Sequence, residues 1–132
     1  MKVVIAGSTK LKNEIKKWVE YWNNQENCSV LNYPKEISFE DQEKLYPEVH
    51  KKFFEDMAEA DILFIANEDK RGIVGYIGAE TFAELSYGLI LKTIYKKDIK
   101  LILAKRPSKE VACYDEIVLW EKFGWIDEII NY

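Results

Sequence analysis

Ala60 to Gly88 reads ADILFIANEDKRGIVGYIGAETFAELSYG. Ile62 to Ala66 is an apolar run, short, β-branched and without alternation, which is the pattern of a parallel strand covered on both faces. Asn67, Glu68 and Asp69 end it. In an open parallel sheet the ligand crevice lies outside the carboxyl ends of the strands, so this polar tip sits where a small polar molecule is held. Asn67 and Asp69 are therefore candidates to touch it. Gly72, Gly75 and Gly78 follow, and their freedom of backbone conformation allows close approach to a ligand. Tyr76, between them, could stack on a base. A helix starting near Gly78 presents unpaired N–H groups to the loop, and its dipole favours an anionic or electron-rich group there. Thr81 and Glu84 share a face of that helix. Glu84 lies about two turns in and points back toward the mouth, where a carboxylate can serve as nucleophile, general base or hydrogen-bond acceptor.

Working outward, Lys2 to Ala6 reads as a strand that ends in Gly7 and Ser8, which would line the same crevice. Leu11 to Glu26 is a helix, with Leu11, Ile15, Trp18, Val19 and Trp22 on one stripe. Ser29 to Asn32 resumes extended structure, and Asn32-Tyr33-Pro34 opens a polar connection or lid through Glu43. Pro47 is expected to start the next helix, which runs to about Glu59 and delivers the chain to the Asp61 strand. Ile99 to Ala104 is a fourth strand. Pro107 to Tyr114 reads as a loop. Glu116 to Trp125 fits both periods poorly, as a strand with a turn or as one short helix. This alternation, joined by right-handed crossovers, implies an α/β fold: a single domain over residues 1–132 with a doubly wound, flavodoxin- or Rossmann-like parallel sheet of four to five strands.

At 132 residues and 48% hydrophobic, the chain has enough apolar material for one core. A formal charge of −4 gives no global case for nucleic-acid binding. Lys105 and Arg106, after the fourth strand, could meet a phosphate, although solvated surface is the commoner fate of such a pair. Cys28 and Cys113 have neither metal nor disulfide spacing, so no metal and no cofactor is expected and both read as reduced thiols. No segment has the length and apolarity of a signal peptide or membrane span, which predicts a cytoplasmic protein with no membrane partner.

The strand, Gly-bearing loop and Glu84-Leu85-Ser86-Tyr87-Gly88 together resemble the nucleoside 2-deoxyribosyltransferase family and its nucleotide N-glycosidase relatives, whose helix carries a Glu-Leu-Gly-Tyr-Ala-like motif. Val3-Val4-Ile5-Ala6-Gly7-Ser8 is similar to that family's opening strand and turn. The likeness extends to about residue 104, with Ser86 and Gly88 standing where Gly and Ala are commoner. It implies that Glu84 attacks the anomeric carbon of a sugar, that Asn67 and Asp69 contact sugar or base, and that Gly7, Ser8, Gly75, Tyr76, Gly78 and Thr81 surround the substrate. The expected activity is cleavage or exchange of the N-glycosidic bond of a (deoxy)nucleoside or its monophosphate, with a homo-oligomer in which Asn131 and Tyr132 reach into a neighbouring subunit. A non-catalytic nucleotide-binding module on the same fold is the alternative. A phosphoribohydrolase fits less well, because its denser Gly-Gly-x-Gly-Thr pattern is missing.

Other polar residues have plainer readings. Asp61, at the amino end of its strand, reads as a strand-entry residue. His50, the only histidine, reads as solvated on a polar helical face, and Tyr87 reads as core.

Overall fold

A computed structural model describes all 132 residues. Continuous burial of Val3 to Ala6 and of Ile62 to Ile65 puts strands β1 (Lys2–Ala6) and β3 (Ile62–Ile65) in the middle of the sheet. β4 (Lys100–Leu103) follows β3, while the more exposed β2 (Ser29–Asn32) and the two-residue β5 (Glu128–Ile129) form the edges. The order is β2-β1-β3-β4-β5, and every pair is parallel. This is the doubly wound α/β architecture expected from the strand–helix alternation, with all five strands present.

Four helices cover the sheet: α1 (Lys12–Asn23), α2 (Gln42–Glu59), α3 (Ala79–Thr93) and α4 (Tyr114–Lys122). Because successive strand residues face opposite sides, each strand feeds two apolar layers. Val4, Ala6, Leu63, Ile65, Leu101 and Leu103 meet Met57 of α2, Leu85 of α3 and Ile117 of α4. Val3, Ile5, Ile62 and Phe64 meet Ile15 and Trp22 of α1. Asp61 is the expected entry residue, since its Oδ2 accepts from the Lys2 N–H at 2.7 Å and ties the starts of β1 and β3. No helix is long and apolar enough to cross a membrane.

Three boundaries differ from the sequence reading. Helix α1 stops at Asn23 rather than Glu26, because Asn27 takes a left-handed φ of 63° as the chain turns into β2. Helix α2 starts at Gln42, with Pro47 inside it, after a single 3₁₀ turn over Phe39–Asp41 fastened by the Ser38 hydroxyl on Asp41 at 2.7 Å. Pro47 lies past the first turn, so the helix forgoes the hydrogen bond that its N–H would have made to the Glu43 carbonyl. The ambiguous segment after Tyr114 becomes helix α4, and Trp120 stacks on Phe82 of α3 at 5.3 Å. Asn131 and Tyr132 do not extend away. The Asn131 N–H bonds to the Ala104 carbonyl at 2.8 Å, and Tyr132 packs on Trp18 at 5.5 Å and donates its hydroxyl proton to Glu68.

Gly88 sets how close α3 lies to the sheet. A Cβ there would stand 2.6 Å from Leu63 Cδ2 and 3.0 Å from Leu101 Cδ2. Gly88→Val is therefore expected to destabilise the protein by about 1–3 kcal/mol through overpacking, read as a lower urea midpoint. An unchanged midpoint would contradict this packing.

Candidate active site

The loop after β3 is folded by its own hydrogen bonds before it reaches α3. Lys70 and Ile73 exchange backbone hydrogen bonds at 3.1 and 2.9 Å. Arg71 at φ 54° and Gly72 at φ 76° form the two-residue turn between them, a conformation that favours glycine at the second place. The turn directs Lys70 toward β1, where its Nζ donates to Ser8 Oγ at 2.9 Å and lies 5.1 Å over the Tyr76 ring. Ser8, Thr9, Lys10, Lys70 and Tyr76 meet the start of α3 around a cavity of about 260 Å³. Gly78 caps α3 without a side-chain acceptor, so the first N–H groups of the helix face this cavity unpaired. Two lysines, the hydroxyls of Ser8, Thr9, Tyr76 and Thr81, and a helix N-terminus outweigh the single carboxylate of Glu80 and make it suited to an anion.

A second, larger cavity of about 650 Å³ adjoins the first and shares Gly7, Thr9, Lys10 and Glu80 with it. Tyr33, Ile37, Leu45, Tyr46 and Val49 give it apolar walls, and Glu84 and His50 sit in its floor. Glu84 is only 6% exposed. No protein group donates to its carboxylate, and burial pushes its pKa up to about 8, with the Glu80 charge adding to the rise.

His50 corrects the sequence reading. Its Nε2 lies 3.1 Å from Glu80 Oε1, and its ring centre stands 3.7 Å from that of Tyr46, so it is held against the crevice rather than solvated. One ligand atom each from His50, Glu80 and Glu84 lies within 4.8 Å of the other two. One imidazole and two carboxylates are a donor set open to a divalent cation, though the oxygen of the exposed Glu80 is already engaged by His50. Helix α2 is pinned over the site by a buried network. Asn32 Nδ2 and Lys52 Nζ donate to Asp56 at 2.8 and 2.7 Å, which joins the tip of β2 to the helix that carries His50.

Of the residues expected from sequence, Gly7, Ser8, Tyr76, Gly78, Thr81 and Glu84 do gather around these two cavities. Asn67, Asp69 and Gly75 line neither. The Asn67 carboxamide is consumed by the backbone: Nδ2 donates to the carbonyls of Lys105 at 2.6 Å and Gly75 at 3.3 Å, and Oδ1 accepts from the Lys105 N–H at 3.1 Å. Asp69 accepts from the Gly75 N–H at 3.1 Å and from Lys105 Nζ at 3.3 Å. Gly75 is glycine because a Cβ would meet the Arg106 carbonyl at 2.8 Å. These three residues clamp the loops after β3 and β4 together. Lys105 is spent in that clamp, and Arg106 makes a two-pronged pair with Glu121 at 2.7 and 2.8 Å. The cations that line the smaller cavity are instead Lys10, whose Nζ lies 4.0 Å from Glu36 Oε1, and Lys70.

Comparison with protein-family models, with curated proteins and with solved structures found no match. The resemblance drawn above accordingly rests on its motif residues alone.

The buried acid has a signature in stability. The Glu84 carboxyl is protonated in both folded and unfolded chains below pH 4.5, but only the folded chain holds the proton up to about 8. The stability this gives is complete below 4.5 and is lost between 4.5 and 8, at up to about 1.4 kcal/mol per pH unit. Glu84→Gln is expected to match the wild type in melting temperature near pH 4.5 and to exceed it above pH 8. Glu80, His50 and Lys10 face the same crevice in both proteins, so the difference curve reports Glu84. Parallel curves would contradict the assignment.

Proposed function

We propose that the protein cleaves or exchanges the N-glycosidic bond of a nucleoside 5′-monophosphate, with Glu84 as the nucleophile. One observation carries this reading: a buried carboxylate without a protein partner lines a wide cavity with aromatic walls, one helical turn from Glu80, which that cavity shares with the smaller cavity lined by Lys10 and Lys70. A phosphate on Ser8, Lys10, Lys70 and the α3 N-terminus leaves the base to the wider cavity beside Tyr33 and Tyr46. The sugar then spans Gly7, which lines both cavities. C1′ comes to Glu84.

As the base departs, positive charge develops at C1′, and an ionised Glu84 stabilises it and traps the sugar as an ester. Water or a second base then attacks C1′ and releases Glu84. The raised pKa makes the ionised form the scarce one at neutral pH, so Glu84 sets a limb of kcat/KM that ascends with pH toward about 8. The same pKa favours a second reading. Protonated Glu84 can donate to a sugar hydroxyl, which suits a module that binds a nucleotide without turning it over.

Chromatographic base release from a panel of ribo- and deoxynucleosides and their monophosphates separates the two. The catalytic reading predicts release by the wild type, loss of at least ~10³-fold in Glu84→Ala, and in Lys70→Ala a roughly tenfold higher KM for monophosphates with little change for free nucleosides. A nucleotide that raises the melting temperature and is never cleaved would favour the binding module.

A further inference from the structure

We infer that His50 is the acid that hands a proton to the departing base, with Glu80 holding its ring in place; this rests on the N-glycosidic reading above. The assignment comes from geometry. His50 is fixed on one side by the Tyr46 ring, 3.7 Å away between centres, and on the other by Glu80 Oε1 at 3.1 Å from Nε2. Its helix is locked to the sheet through Asn32, Asp56 and Lys52. One ring nitrogen of His50 lies within 4.8 Å of a Glu84 carboxylate oxygen, and both residues line the cavity that would take the base. Enzymes that retain configuration at an anomeric carbon place acid and nucleophile about 5–5.5 Å apart, so that one group attacks as the other protonates the leaving atom. His50 and Glu84, with ligand atoms within 4.8 Å of each other, are near enough for one to protonate as the other attacks. Asn67 and Asp69, the polar residues nearest in the sequence pattern, cannot take the role, because their side chains are bound to the Gly75 and Lys105 backbone or ammonium.

A Glu84 carboxylate oxygen bonds to C1′, the bond from C1′ to the base nitrogen breaks, and its electron pair leaves with the base. The base takes the proton on Nδ1 of the imidazolium, the ring nitrogen that Glu80 does not engage, and departs neutral. In the second step the neutral imidazole takes a proton from the incoming water or acceptor base as it attacks C1′, and the ester bond to Glu84 breaks to restore the carboxylate. Glu80 is a positioning residue: its carboxylate compensates the imidazolium and orients Nε2.

The test compares two leaving groups on the same sugar phosphate. One is a natural base, which needs a proton to depart, and the other is a nitrophenolate, which does not. His50→Gln should lose about 10²–10⁴-fold in kcat/KM on the natural nucleotide and stay within about fivefold of wild type on the nitrophenyl glycoside. Glu80→Gln should show the same selectivity to a smaller degree. Because both rates come from one preparation, a partly misfolded fraction cancels in their ratio. Equal losses on the two substrates, or no loss on the natural one, overturn the role of His50. A wild type that releases no base, or a Glu84→Ala variant that still does, overturns the glycosidic reading itself.

Discussion

β1 and β3 are neighbours in the sheet, yet their chains leave for opposite faces: α1 packs against Val3 and Ile5, and α3 against Leu63 and Ile65. That divergence opens the crevice, and the rest of the site depends on it. No loop has to be excavated. Gly7 and Ser8 arrive from one side and Lys70, Tyr76 and Gly78 from the other, and the N-terminus of α3 is left facing the gap without a capping side chain. The Asn67 and Asp69 hydrogen bonds to the loop after β4 then hold one wall rigid. The fold thus supplies an anion seat and a polar floor before any chemistry is specified.

Within that frame Glu84 stands apart from the other buried acids. Asp56 is satisfied by Asn32 and Lys52, and Glu68 by Trp18 and Tyr132, as buried polar groups normally are. Glu84 has no such donor, and burial, with the Glu80 charge adding to it, keeps its proton well beyond the ordinary carboxyl range. Partnering it would have been structurally simple, since Lys10 lines the same cavity. An unpaired buried acid lining a crevice costs stability at neutral to alkaline pH and is the arrangement expected where a carboxylate must meet a cationic centre rather than a protein cation. Gly88, one turn further along, contributes by letting α3 sit deep enough to bury it.

The architecture was legible because the central strands are buried on both faces and so read as unbroken apolar runs, and the Glu84 helix was legible from its Gly-rich entry. What misled was polarity at the strand tip. Asn67 and Asp69 look like ligand contacts in sequence, but their partners, Gly75 and Lys105, lie across loops that local pattern does not connect. His50 was misread for the same reason: its environment is made by Glu80 and Tyr46, and only the docking of α2 on α3 brings Glu80 to it. Lys10 and Lys70 converge from the tips of two different strands, which a sheet order, and not a composition, reveals. The aromatic tail had no period to read, because β5 is two residues long and the tail's order comes from Trp18, Phe82 and Glu68.

The central claim is that Glu84 becomes covalently bonded to the sugar. Acid quenching during turnover of a nucleoside monophosphate, followed by mass spectrometry of the peptides, tests it most directly. The account predicts a sugar-phosphate adduct on the peptide containing Glu84, absent from Glu84→Ala. Base release with no adduct at any time point, or with the adduct on another residue, would contradict it.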